Sequence, residues 1–140
     1  MKIGCFEDID AWKEARKLVN SVYDAINNSP RFKKDIRLTN QIQGAAVSVM
    51  SNIAEGFSRR GNKEFIQFLF ISKSSAAEVQ SQLYVALDQN YITQGVFNKL
   101  YNQAELISKM ESGFIKYLAT QLKKPKPKLS DSPFSKKVDW

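Results

Sequence analysis

The sequence contains no histidine and a single cysteine, Cys5. Without histidine the chain cannot supply a Ser-His-Asp or Cys-His catalytic set, an HExxH motif or a Cys/His zinc site. One cysteine cannot form an internal disulfide bond, which fits a reducing compartment. The carboxylates Glu55, Glu64 and Glu78 have no second acid spaced to act with them. We therefore expect a protein that is not an enzyme and that uses no metal or other cofactor.

Proline is also scarce, and none lies between Arg31 and Lys124. Because proline interrupts helices and marks turns, so long a stretch without it favours long helices over strands. No apolar run approaches the roughly 20 residues that span a bilayer. The first ten residues also lack the basic and then apolar layout of a signal peptide. These absences predict an all-α, cytoplasmic protein that does not enter a membrane.

Apolar residues recur at intervals of three and four in four segments, as in amphipathic helices. The predicted helices span about 9–27, 35–55, 63–89 and 94–122. Asp8, Asn62 and Thr93 are the predicted N-caps, and Gly56 is the predicted C′ residue of the second helix. Short connections around the third helix predict an antiparallel up-down-up-down four-helix bundle over residues 1–122. A three-helix fold is the alternative if the region around Asp35 is not helical.

The helical pattern stops at the last segment, residues 123–140, which is rich in lysine and proline. It holds six lysines and two aspartates, a net charge of +4 out of +7 for the whole chain. This composition predicts a disordered basic tail that binds nucleic acid without sequence preference, or that only promotes solubility. Its candidate nucleic-acid-binding residues are Lys123, Lys124, Lys126 and Lys128.

A second basic group lies between the second and third predicted helices. We call Arg59, Arg60 and Lys63 the loop cluster. Three cations in five positions at the start of a helix, where free backbone amides favour anions, predict a phosphate contact. The alternative is an ordinary solvated loop.

The third predicted helix is apolar on every side near its start. In the segment 65–71 six of seven residues are apolar, and successive side chains point about 100° apart around a helix. One bundle core does not cover all sides of such a helix unless its two flanking helices do so alone. The segment therefore predicts contacts between subunits of a homo-oligomer. The candidate contact residues are Phe65, Phe68, Phe70 and Ile71.

The segment from Gln41 to Gly56, which ends in Ser-Asn-Ile-Ala-Glu-Gly, carries a family signature, as does the opening Phe-Glu-Asp-Ile-Asp-Ala-Trp at residues 6–12. Together they resemble the bacterial four-helix-bundle proteins encoded in intervening sequences of large-subunit ribosomal RNA genes. Asn52, Glu55 and Gly56 are the signature residues, and we expect them to fix the turn after their helix. The chain departs from this family at Gln43-Gly44, where a basic pair is usual.

This resemblance implies a ring-shaped homopentamer without catalysis. A related protein is the accessory protein of diversity-generating retroelements, which binds a reverse transcriptase and nucleic acid. The hypothesis is therefore a homo-oligomeric bundle that binds RNA or DNA or assists a reverse transcriptase. The alternative is a structural oligomer that binds a protein partner and has no nucleic-acid role.

Overall fold

The computed structural model of the protein describes residues 3–123, and within this range it contains helices and no strand. The predicted all-α class is confirmed. The helices are α1 (Asp10–Asn27), α2 (Pro30–Lys34), α3 (Ile36–Ser58), α4 (Asn62–Asp88) and α5 (Gln94–Lys123), and a 3₁₀ turn at Phe6–Asp8 precedes them. None of these helices is long and apolar enough to cross a bilayer. The predicted tail, apart from Lys123, lies outside the described residues.

The four long helices form a bundle in which α1 and α4 each pack against both α3 and α5. Contacts along α3 and α4 run in opposite directions, since Gly56 lies beside Phe65 while Ser48 meets Ser75 further along. The same holds for α4 and α5. Phe65 lies beside Phe114 with ring centroids 5.1 Å apart, and Tyr84 lies 4.8 Å from Phe97. The α3–α4 loop and the end of α5 therefore lie at the same end of the bundle.

The apolar stripe of α3 forms one wall of the core. Its buried residues include five with the predicted spacing of three and four: Leu38, Ile42, Ala45, Val49 and Ile53. The apolar stripe predicted for the first helix consists of Ile9, Trp12, Ala15, Val19, Val22 and Ile26. All of these are buried except Trp12 and Val19, which are partly buried, and Ala11 and Leu18 are buried in addition. Burial of these faces, at about 25 cal/mol per Å² of apolar surface, stabilises the bundle.

Two predicted N-caps are wrong. Asp8 ends the 3₁₀ turn, which the Ile9 N–H closes on the Phe6 carbonyl at 3.0 Å, so Ile9 is the N-cap of α1. Asn62 is the first residue of α4, and Gly61 is its N-cap. The cap at Thr93 is confirmed, since its Oγ1 accepts the Val96 N–H at 3.1 Å.

The short helix α2 was not predicted. Ser29 caps it by accepting the Phe32 N–H at 3.3 Å, and Pro30 occupies its first position, where a proline has no hydrogen bond to lose. Phe32 is buried and stacks on Tyr91 with centroids 5.4 Å apart. Asp35 then caps α3 through the Leu38 N–H at 3.0 Å. The connection between α1 and α3 is therefore held in place by the buried Phe32 and by the caps at Ser29 and Asp35.

Gly56 does not end its helix, and that prediction is wrong. Helix α3 continues to Ser58, and Gly56 has no positive φ. A Cβ atom at this position would lie 2.7 Å from Phe68 Cβ and 2.9 Å from Phe65 Cδ1. Gly56 is therefore a close-packing residue at the crossing of α3 and α4. Gly44, by contrast, is not at a close contact, because a Cβ atom there would meet nothing within 4 Å.

One acidic side chain lies in the core. Glu111 of α5 is fully buried, and neither of its carboxyl oxygens has a hydrogen-bond partner within residues 3–123. The Ser72 hydroxyl already donates to the Val49 carbonyl at 2.8 Å. Burial raises the pKa of Glu111 from the usual 4.5 to about 8, and the nearby Ser72 hydroxyl and Lys73 ammonium offset only part of this rise.

Candidate nucleic-acid interface

Arg59 is held in place by its own chain. Its Nη2 lies 2.9 Å from Glu55 Oε1, one turn earlier, and its guanidinium lies 4.9 Å from the centroid of the Phe68 ring. The ion pair neutralises part of the Arg59 charge, although both side chains stay about half exposed. Arg59 is thus oriented by Glu55 and Phe68 and offers less net charge than the sequence suggests.

Arg60 and Lys63 carry the free charge of the loop cluster. Both are exposed, and neither forms an ion pair with another residue in the range 3–123. They flank the start of α4, where the Gly61 cap provides no side chain to accept the first amides. Because such amides favour anions, this end of α4 and the two cations together suit a phosphate group.

A cleft of about 370 Å³ opens beside the loop cluster. Arg59, Arg60 and Asn62 form its polar side, and aromatic rings including Phe57 and Tyr117 form its apolar side. Cations beside aromatic faces suit nucleotides, since phosphates bind the cations and bases stack on the rings. No three Cys, Asp or Glu side chains of the described range are gathered so as to hold a metal ion.

The three signature residues act within the fold. Asn52 Nδ2 donates to the carbonyl and hydroxyl oxygens of Ser48 at 2.8 and 2.9 Å, and Ser75 of α4 donates to the same hydroxyl at 2.9 Å. Glu55 holds Arg59, and Gly56 permits the close helix crossing. Their contacts tie α3 to α4 and set the position of the loop cluster.

Lys123, the first candidate residue of the tail, is the last residue of α5 and is exposed. Leu118 and Gln121, in the preceding turns, line the same cleft as Arg60. The basic segment that follows Lys123 therefore starts at the loop-cluster end of the bundle. Lys124, Lys126 and Lys128 lie outside the described residues.

The candidate contact residues on α4 differ in exposure. Phe65 is 7% exposed and packs between Phe57 and Phe114, so it is wrong as a surface contact. Phe68 is half-buried beneath Arg59. Phe70 and Ile71 are 52% and 48% exposed. Tyr84 and Val85 are also exposed, about four turns further along α4 on nearly the same side, and we call the four residues Phe70, Ile71, Tyr84 and Val85 the α4 apolar face.

A further basic group was missed in the sequence. Arg31, Lys33, Lys34 and Arg37 are all exposed, and none pairs with a carboxylate in the described range; we call them the α2 cluster. This group is visible in the sequence, because its four cations fall within seven consecutive positions. Most of them fall in the connection between the first two predicted helices, for which no helix is predicted.

Comparison with known proteins identifies relatives by sequence and by fold. The family model described as 23S rRNA-intervening sequence protein matches residues 7–113. A solved structure of a protein of unknown function, from the S23 ribosomal protein family of Bacteroides thetaiotaomicron VPI-5482, superposes with a TM-score of 0.68 at 22% identity. The match covers 76% of this chain and 98% of that one, and it shows a shared fold. No curated protein matches the sequence significantly. The family match spans most of the chain, so the chain belongs to the 23S rRNA-intervening sequence protein family.

Proposed function

We propose that this chain is a non-catalytic, homo-oligomeric protein that binds nucleic acid, RNA above all, and serves as an accessory to a nucleic-acid-processing enzyme such as a reverse transcriptase. Its fold in this proposal is an antiparallel up-down-up-down four-helix bundle. The observation that carries the proposal is the arrangement at one bundle end. Two cations that form no ion pair within residues 3–123, an α4 start without a side-chain cap, and an aromatic cleft lie where the lysine-rich segment begins.

The charge distribution supports binding through this end. The segment 123–140 contributes +4 of the net +7, and it begins beside the loop cluster. Copies of both groups in an oligomer would act together, so a weak contact in each subunit gives measurable binding by avidity. Contacts of this kind are made to phosphates and carry no sequence information.

We expect RNA binding that weakens steeply with salt. Each phosphate contact on a single strand adds about −0.7 to the slope of log affinity against log salt concentration. Substituting Arg60→Ala with Lys63→Ala removes two exposed cations, so the slope should become shallower by about 1.4. Arg59→Ala should have a smaller effect because Glu55 already balances its charge. Fluorescence anisotropy with labelled single-stranded RNA over a salt series measures these slopes.

A chain that ends at Lys123 provides the matched test of the basic segment, and it should flatten the slope further. If the unmodified protein fails to bind RNA even at low salt, the nucleic-acid role is wrong. The α4 apolar face then favours the second candidate function, a structural oligomer that binds another protein.

The α4 apolar face also supports self-association. Phe70→Glu places a charge where an apolar neighbour would pack, so it should dissociate the oligomer while leaving the helices folded. Asn20→Glu, at an exposed position of α1, which packs against α3 and α5, is the matched control and should leave assembly unchanged. Light scattering gives the mass and circular dichroism the helicity. A 16.0 kDa particle from the unmodified protein at micromolar concentration would disprove self-association.

A further inference from the structure

The two ends of α3 carry separate basic groups. The α2 cluster lies at its start, and the loop cluster lies at its end. Of these two groups, the sequence predicts a phosphate contact only at the second. The first has four exposed cations, and no carboxylate within residues 3–123 pairs with any of them.

The backbone that presents the α2 cluster is fixed by local contacts. Phe32 is 1% exposed and stacks on Tyr91, while Ser29 caps α2. The acid within the segment, Asp35, is occupied by the fold, because it caps α3 through Oδ1 and accepts the Tyr91 hydroxyl through Oδ2 at 2.9 Å. Both carboxylate oxygens of Asp35 therefore bind groups of its own chain. The segment 29–37 has no other carboxylate to pair with the four cations. A group of cations on a fixed backbone, none of them paired with a carboxylate in residues 3–123, suits an array of phosphates.

The two basic groups are related by the geometry of α3. Arg37 and Arg59 are 22 positions apart, which corresponds to about 33 Å and about six turns of helix, so they lie on nearly the same side. This distance is close to one turn of a B-form duplex, about 34 Å, after which each strand returns to the same side. Helix α3 has no charged residue between Arg37 and Glu55, so its surface does not repel a phosphate backbone.

We propose that the α2 cluster is a second phosphate-binding site, and that a B-form DNA duplex lies along α3 with contacts one helical turn apart at the α2 cluster and the loop cluster. This inference rests on the proposed nucleic-acid role and adds the form of the ligand. Glu78 of α4 is exposed midway along, in a shallow groove beside Gln41 and Gly44. The phosphate contacts are therefore confined to the two ends.

The test uses DNA hairpins with stems of about 6 and about 16 base pairs, of which only the longer spans both ends at about 10 base pairs per turn. The unmodified protein should bind the longer stem at least tenfold more tightly. Lys33→Ala with Lys34→Ala should remove most of that advantage and make the salt slope on the longer stem shallower by about 1.8. Both lysines are exposed, so circular dichroism should show unchanged helicity.

Lys99→Ala with Lys109→Ala is the matched control. It removes two exposed lysines from α5, which packs against α1 and α4, and it should leave the length advantage intact. Equal binding of the two stems, or an effect of the α2 variant no larger than that of the control, overturns the inference. An α2 cluster that binds an acidic protein or an anionic lipid instead would give this second result. Single-stranded RNA binding, measured separately, decides the proposed function itself.

Discussion

Replacing Glu111 by methionine should make the protein substantially more stable at neutral and alkaline pH. The glutamate is fully buried, and its carboxyl oxygens have no hydrogen-bond partner in the range 3–123. A methionine of similar length fills the space and removes the desolvated acid. The gain at pH 7 should be roughly 3 kcal/mol, because holding a group protonated about 2.5 pH units above its ordinary pKa has this free-energy equivalent.

The sign of the pH dependence follows from the raised pKa of Glu111. In the unfolded chain this carboxyl loses its proton above about pH 4.5, whereas in the folded chain it keeps it until about pH 8. The folded state therefore binds more protons between these values, and raising the pH destabilises it. The penalty is absent below about pH 4.5, grows up to about pH 8 and is constant above.

Glu111→Gln separates the cost of ionising the buried side chain from the cost of burying a polar group. Glutamine keeps a buried polar group but cannot ionise, so this variant should lose the pH-dependent penalty and remain less stable than the methionine variant. Glu64→Gln, at an exposed position of α4, is the matched control for loss of an acid. Urea unfolding at pH 5, 7 and 9 measures the differences. Parallel profiles for the unmodified and Glu111→Gln proteins would show that the buried acid does not stay protonated.

The same substitution should have opposite effects at two glycines of α3. Gly56→Ala places a Cβ 2.7 Å from Phe68 Cβ, so α3 and α4 must move apart, which should lower the free energy of unfolding by roughly 1–3 kcal/mol. Gly44→Ala meets no atom within 4 Å and removes a flexible residue from a helix interior, so it should raise stability by up to about 1 kcal/mol.

Thermal and urea unfolding of the two alanine variants provide the measurement, and each variant is the other's control. If Gly56→Ala is as stable as the unmodified protein, the close crossing of α3 and α4 is wrong. If Gly44→Ala weakens self-association without lowering helicity, the open side of Gly44 is a contact with another copy.

The sequence predicted the long helices because their apolar spacing repeats many times. Boundaries depended on single residues with two possible roles. Glycine serves both as a C′ residue and as a point of close approach, and only the position of Phe65 and Phe68 decides between them for Gly56. The five residues of α2 are too few to show a period, although Ser29 followed by Pro30 is a legible helix start.

The sequence predicted which residues form the loop cluster, but only part of how their side chains are arranged. Sequence identifies Arg59, Arg60 and Lys63 as close neighbours, but the pairing of Arg59 with Glu55 depends on which way each side chain turns. The burial of Glu111 could have been predicted from the sequence. Glu111 continues the spacing of Ala104, Ile107, Phe114 and Leu118 and thus belongs to the buried stripe. That α5 ends beside the α3–α4 loop follows from tertiary packing, which one sequence does not display.

Because the two basic groups lie at opposite ends of α3, the two ends of the bundle carry different sets of cations. Rotation about an axis parallel to the helices keeps every subunit pointing the same way. A ring built by such rotation would carry all loop clusters, together with the Lys123 ends of α5, on one rim and all α2 clusters on the other. The rims would present different cation densities about 33 Å apart. A ring of this kind would have two distinguishable sides, and any enzyme it assists could recognise one of them.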